Sequence, residues 1–187
     1  MTKKVYRGRV VNVVQEKVRL GNGHEVTLDI MRHPGAAAIV ALNRKREVIL
    51  ILQHRHAAGG LLWEIPAGKR DGEEDHLLCA KRELEEEAGV VATHWTRLTD
   101  IFTVPGFCDE KIALFLAEGL TQTRIKHDDD EWIEEIRSVA LEEALEWIDD
   151  GTLIDAKSCT ALLMVERCLR KRRLLEGDKS RAKKLKG

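Results

Sequence analysis

The sequence predicts an α+β fold in which helices pack on a mixed β-sheet, preceded by a small antiparallel β subdomain at the amino terminus. Three observations predict it. From residue 5 to 32, polar and apolar residues alternate in short stretches broken by glycine and asparagine, as antiparallel strands with one solvated face do. Beyond them, short apolar runs of strand length are mixed with stretches of helical period, without the regular strand-helix alternation of a doubly wound sheet. Finally, 43% hydrophobic and 34% charged residues in a chain of 187 suit one sizeable core with at most a short appendage.

Taken in order, residues 1–35 read as the amino-terminal β subdomain, with a Gly21-Asn22-Gly23 turn between two of its strands. His33-Pro34-Gly35 then punctuates the chain. Ala36 to Leu42 and Glu47 to Gln53 are two apolar runs separated by Asn43-Arg44-Lys45-Arg46, which predicts a hairpin of core strands. Leu61 to Pro66 is a short extended piece. A helix is expected from about Glu73 to Ala88, with Gly89 as its left-handed cap. Trp95 to Val104, Lys111 to Ala117 and Trp132 to Ala140 read as further strands, and Leu141 to Ile148 as a helix stopped by Gly151. Asp155 caps a last helix running to about Leu175, which closes a main domain of residues 36–175. Residues 176–187, basic and poor in apolar residues, are expected to be disordered.

Composition also excludes some functions. A formal net charge of -1 gives no overall drive toward nucleic acid or an anionic membrane. Cys79, Cys108, Cys159 and Cys168 lack zinc-ligand spacing and read as reduced thiols. No apolar run suggests a signal peptide or a membrane span, so a cytoplasmic location is expected. Residues 167–186 are rich in lysine and arginine, but without interleaved aromatics they read as a solubilising helix end and tail, and no nucleic-acid partner is expected.

The helix at 73–88 carries the chemistry. At about 100° per residue, Leu77, Ala80, Leu84 and Ala88 form its buried stripe, while Glu83, Glu86 and Glu87 share a separate sector. Like charges one turn apart repel, so the cluster needs solvation or a positive partner. Spacing alone leaves both open, a solvated acidic face or a site for a hard divalent cation, which prefers oxygen ligands.

The larger pattern favours the cation. Gly68, five residues, Glu74, seven residues, then Arg82-Glu83-Leu84-Glu85-Glu86-Glu87-Ala88-Gly89-Val90 matches every fixed position of the Nudix box. The lead-in Gln53-His54-Arg55-His56 and Trp63-Glu64-Ile65-Pro66-Ala67-Gly68-Lys69, the turn Pro105 to Glu110 and the acidic run Asp128 to Glu131 are similar to the corresponding segments of ADP-ribose pyrophosphatases in that family. The resemblance covers roughly residues 30 to 165 and implies an α/β/α sandwich.

What the resemblance implies about function is specific. It implies a magnesium-dependent hydrolase, with manganese able to substitute, that splits ADP-ribose into AMP and ribose 5-phosphate. Metal ligation falls to Glu83, Glu87 and the carbonyl oxygen of Ala67, with Glu86 close by. Arg82, Glu74 and Gly68 support the loop and the glutamates. Arg55 is expected to pair with a phosphate oxygen, Glu110 to meet a metal or the terminal ribose, and Glu131 on the acidic loop to act as general base. Arg32 and Tyr6 are weaker candidates for substrate contact, and Trp63 and Trp95 read as core residues before base-stacking ones. In the resembled enzymes the amino-terminal subdomain is exchanged between two subunits, so a homodimer is expected. Other readings kept in view are hydrolysis of another nucleotide sugar such as GDP-mannose or ADP-glucose, a silent domain that senses ADP-ribose, and RNA decapping.

Overall fold

Strand β4 (Ala36–Leu42) is buried at every residue, which only a central strand covered on both faces can be. A computed structural model describes residues 2–124 and 132–184, of which 176–184 as backbone alone, and builds the rest around this strand. The main sheet runs in the order β10-β5-β4-β9-β8, where β5 is Glu47–Arg55, β8 Val90–Phe102, β9 Lys111–Gln122 and β10 Ile133–Ala140. Strand β4 is parallel to β9, whereas β8–β9 and β5–β10 are antiparallel, so the sheet is mixed. Two short strands branch from it: β6 (Gly60–Glu64) pairs with β5, and β7 (Ala67–Lys69) pairs with the start of β4.

Side chains that alternate across β4 divide the core into two layers. Ala36, Ala38, Val40 and Leu42 face helices α2 (Leu141–Asp150) and α3 (Ala156–Lys184), meeting Leu141, Ala144, Leu162 and Val165. Ala37, Ile39 and Ala41 face helix α1 (His76–Ala88), meeting Cys79, Ala80, Leu84 and Ala88. This is the expected sandwich of helices on a mixed sheet. Among the described residues no helix is long and apolar enough to cross a membrane.

A separate three-stranded antiparallel sheet, β1 (Thr2–Arg7), β2 (Asn12–Arg19) and β3 (Glu25–Arg32), precedes this body. It is tied to the body by the Met31 N–H to the Phe107 carbonyl, 2.7 Å, and by the Asp109 N–H to the Met31 carbonyl, 3.1 Å.

Three expectations need correction. Strands β4 and β5 form a hairpin only at its mouth, at Leu42–Val48, because β7 takes the start of β4 while β6 and β10 take the rest of β5. Helix α1 begins after Asp75 and not at Glu73, since the Asp75 carboxylate caps the Leu77 N–H while Glu74 is held in a turn by Asp71. Helix α3 continues past Leu175 to Lys184, through Gly177, Asp178 and Ser180, and ends on Arg181, Ala182, Lys183 and Lys184, which are good helix formers.

Candidate active site

Helix α1 is placed so that its acidic side meets a glycine turn. Burial of Cys79, Ala80, Leu84 and Ala88 against the sheet fixes its rotation, and the same rotation carries Glu83 and Glu87 under β7. Both carboxylates are buried, Glu87 to 1% exposure and Glu83 to 7%. Gly68 makes this approach possible: a Cβ there would stand 2.1 Å from the Glu83 carboxyl carbon. The Ala67 N–H donates to Glu87 at 2.7 Å, which locks β7 onto the helix.

Arg82 supplies positive charge within the cluster. Its Nη1 donates to Glu83 at 2.7 Å and to Glu86 at 3.0 Å, while Nε and Nη2 grip Glu74 at 3.2 and 2.9 Å and Nη2 reaches the Lys69 carbonyl at 3.1 Å. The hydrogen bond to Glu74 above all holds the guanidinium charged, and the same contact lowers the Glu74 carboxyl. Arg82 and Glu74 thus tie the loop to the helix. Burial, with the Glu83 charge adding to it, pushes the neighbouring Cys79 thiol up to about 12, which removes it as a nucleophile at neutral pH.

A cleft of about 690 Å³ opens on this cluster. Ala67, Gly68, Glu83 and Glu86 line it, and so do Arg55 and Glu110, so most of the residues singled out from the sequence share one cavity. Arg55 is held side-on by Glu64, Nε to Oε1 at 2.7 Å and Nη2 to Oε2 at 2.9 Å. Glu110 accepts from the Thr103 hydroxyl at 2.6 Å and lies 3.5 Å from His33 Nε2. The Gly35 N–H donates to His33 Nδ1 at 3.1 Å, so the neutral ring carries its proton on Nε2, facing Glu110.

The remaining candidates fall elsewhere. Arg32 is not in this cleft: it bridges Glu16 at 2.6 Å and Asp109 at 2.8 Å beside a second, mostly apolar hollow, where it fastens the amino-terminal sheet to the body. Tyr6 is exposed on β1. Trp63 packs on Trp147 with ring centres 5.3 Å apart, and Trp95 packs on Phe115, as core residues do. Glu131 and the acidic run Asp128 to Glu131 lie outside the described residues. Sequence reading passed over His33, Glu64 and Lys157, which also line the cleft. A glutamate ending an apolar strand and a lysine in a helix's first turn were the signals on offer.

The donor set can be tested against a divalent cation. Glu83, Glu86 and Glu87 offer hard carboxylate oxygens, with Glu83 and Glu87 buried, and the lack of a side chain at Gly68 lets the Glu83 carboxylate sit directly against β7. Among the described residues no three Asp, Glu, His or Cys side chains gather into a ready-made ligand cluster. Magnesium keeps water and substrate oxygens in its shell and needs no closed set of protein ligands. The residues present fit such an ion.

Fold and site together define a class: a mixed sheet covered by helices on both faces, whose helix α1 presents buried carboxylates beneath the Gly68 of β7 at the mouth of a cleft. The NUDIX domain family model matches residues 31–160, and the chain belongs to that family. It is 37% identical to an ADP-ribose pyrophosphatase of Bacillus subtilis (strain 168) over 161 residues, covering 85% of this chain and 86% of that protein. It is 36% identical to a methanol dehydrogenase activator of Bacillus methanolicus over 163 residues, covering 86% and 88%. A solved structure, "Crystal structure of ADP compounds hydrolase", superposes with a TM-score of 0.79 over 92% of this chain and 93% of that one at 22% identity, which speaks to the fold.

Proposed function

We propose that this chain is a divalent-cation-dependent hydrolase of nucleoside diphosphate sugars, with ADP-ribose as substrate and AMP and ribose 5-phosphate as products. The observation that carries the reading is the pair of buried carboxylates, Glu83 under Gly68 and Glu87 on the Ala67 N–H, with Glu83 and Glu86 lining the same cleft as Arg55. A cleft with anionic oxygens for a cation and a fixed cation for a phosphate suits a diphosphate. The name of the Bacillus subtilis relative supports the choice of sugar nucleotide.

The residues divide the work. Glu83 and Glu87, with the Ala67 carbonyl, hold magnesium or manganese, and Glu86 completes the cluster. When bound, the cation neutralises charge that builds on the phosphorus under attack. Arg55 grips a phosphate oxygen, and Glu110 with His33 receives the terminal ribose. Arg82 and Glu74 hold the loop and the glutamates in place. Hydrolysis adds one water across the bridge: a new phosphorus–oxygen bond forms, the bridging bond breaks, and a carboxylate takes the water's proton. We assign that carboxylate to Glu131. The enzyme works as a homodimer in the cytoplasm.

A panel of ADP-ribose, ADP-glucose and GDP-mannose, assayed with magnesium, with manganese and with EDTA, tests the reading. ADP-ribose is expected to give the highest kcat/KM, and EDTA to abolish it. A preference for GDP-mannose would reject the substrate, and undiminished turnover in EDTA would reject the cation.

A further inference from the structure

Glu64, the last residue of β6, is 2% exposed, and two cations converge on it. Arg55, at the end of β5, takes both carboxylate oxygens side-on at 2.7 and 2.9 Å. Lys157, in the first turn of α3, donates its Nζ to Oε2 of the same carboxylate. Lys157 is itself held by Asp155 at 3.0 Å. Asp155 also accepts from the Ser158 N–H at 3.0 Å and from its hydroxyl at 2.5 Å, and that hydroxyl accepts from the Ile65 N–H at 2.9 Å. The loop of contacts from β6 to α3 is therefore closed, and its members Arg55, Glu64, Asp155 and Lys157 all line the cleft.

The Ile65 N–H bond to the Ser158 hydroxyl, with Asp155 behind it, already joins α3 to the residue after β6. Lys157 does something further: it fixes the rotation of the carboxylate whose two oxygens set the plane of the Arg55 guanidinium. A buried carboxylate shared by two cations cannot turn toward one without losing the other. Arg55 has 40% of its side chain exposed in the cleft, so the paired carboxylate narrows the rotamers that its long side chain samples. We propose that Lys157 is a positioning residue that acts through Glu64 to aim Arg55 at the substrate's diphosphate. The inference rests on the reading of the cleft as a diphosphate site.

Calorimetric binding of ADP-ribose with EDTA present, so that no turnover occurs, tests it on the full chain. Lys157→Met is expected to raise Kd about tenfold and Lys157→Arg to keep it within about threefold of the parent. Arg55→Ala raises Kd as well, and adding Lys157→Met to Arg55→Ala raises it less than about twofold further, because the lysine acts through the arginine. A merely structural role would lower the melting temperature without this dependence on Arg55. An unchanged Kd in folded Lys157→Met, or a full additive loss on the Arg55→Ala background, overturns the proposal. Should Lys157→Met fail to fold by circular dichroism, Glu64→Gln with and without Arg55→Ala asks the same question, and additivity again overturns it. Inorganic pyrophosphate, titrated in parallel, separates the two readings: a chain that binds pyrophosphate but not ADP-ribose refutes the substrate assignment while the cycle still decides on Lys157. A chain that binds neither refutes both.

Discussion

Glu83 and Glu87 would repel each other across one turn of a bare helix, and the fold keeps both buried, so their placement is held by packing against β7 and by hydrogen bonds from Arg82 and the Ala67 N–H. Replacing either by glutamine keeps the shape and removes a charge. Glu83→Gln and Glu87→Gln are therefore expected to lower kcat with magnesium by at least about a hundredfold while leaving the melting temperature within a few degrees, since relief of repulsion offsets lost contacts. Near-parental turnover in either variant would remove that residue from the cation site. Gly68→Ala acts on the same geometry from the other side: a methyl group 2.1 Å from the Glu83 carboxyl must displace it, costing about 1–3 kcal/mol and the alignment of the cluster. Urea unfolding and steady-state kinetics on one preparation would show both losses together, and an intact kcat would mean that Glu83 can shift without consequence.

At the scale of elements, much of the architecture was legible because it rests on local signals. Gly89, at φ 62°, is the left-handed cap that the helix pattern placed there, and the acidic side of α1 follows from the rotation its apolar stripe imposes. Partners distant in sequence were not legible. The pairing of β4 with β9 in place of a long hairpin with β5, and the meeting of Glu64 with Lys157 across 93 residues, depend on crossovers that leave no local periodicity. Asp75→Ala removes the carboxylate that accepts from the Leu77 N–H at 2.8 Å, and about 1 kcal/mol of stability with it, seen as a fall of about 2–4 °C in melting temperature. An unchanged melting temperature would show that water replaces the cap. For α3, the described apolar residues packed on the core reach Leu169, so a chain ended after Leu175 is expected to turn over ADP-ribose at the parental rate. A clear loss would assign the helix end a part in the reaction.

For the whole molecule, acidity and assembly are the two levers. Burial raises the Glu64 carboxyl, but the Arg55 hydrogen bond and the Lys157 charge outweigh it, and the net direction is down. Desolvation likewise raises Asp109, and its hydrogen bonds to Arg32 and to the His33 N–H bring it below the usual carboxylate range. A carboxylate lowered in the folded state stabilises the fold above its unfolded pKa, about 4, and that contribution is lost as pH falls through the lowered value. Melting temperature is therefore expected to hold from pH 7 to about 5 and to drop below about 4, with a shallower drop in Glu64→Gln than in the parent. Equal slopes for the two chains would mean that Glu64 does not carry the acid response.

Assembly turns on the amino-terminal sheet. Val14 is the one buried residue of β1, β2 and β3, while Val5, Tyr6 and Leu28 stay exposed, so this sheet alone hides too little apolar surface to hold three strands together. In the homodimer we propose, a second copy would cover this sheet, and a symmetric pair would do so with one kind of contact used twice. Sedimentation equilibrium at micromolar concentration is expected to give a mass near twice the 21.2 kDa of one chain. If the proposed homodimer covers Tyr6, Tyr6→Glu sets a charge there and is expected to shift the equilibrium toward single chains and to lower the melting temperature in step with that shift. A single-chain mass for the parent protein, with its sheet as resistant to proteolysis as its body, would show that the three strands stand without a partner.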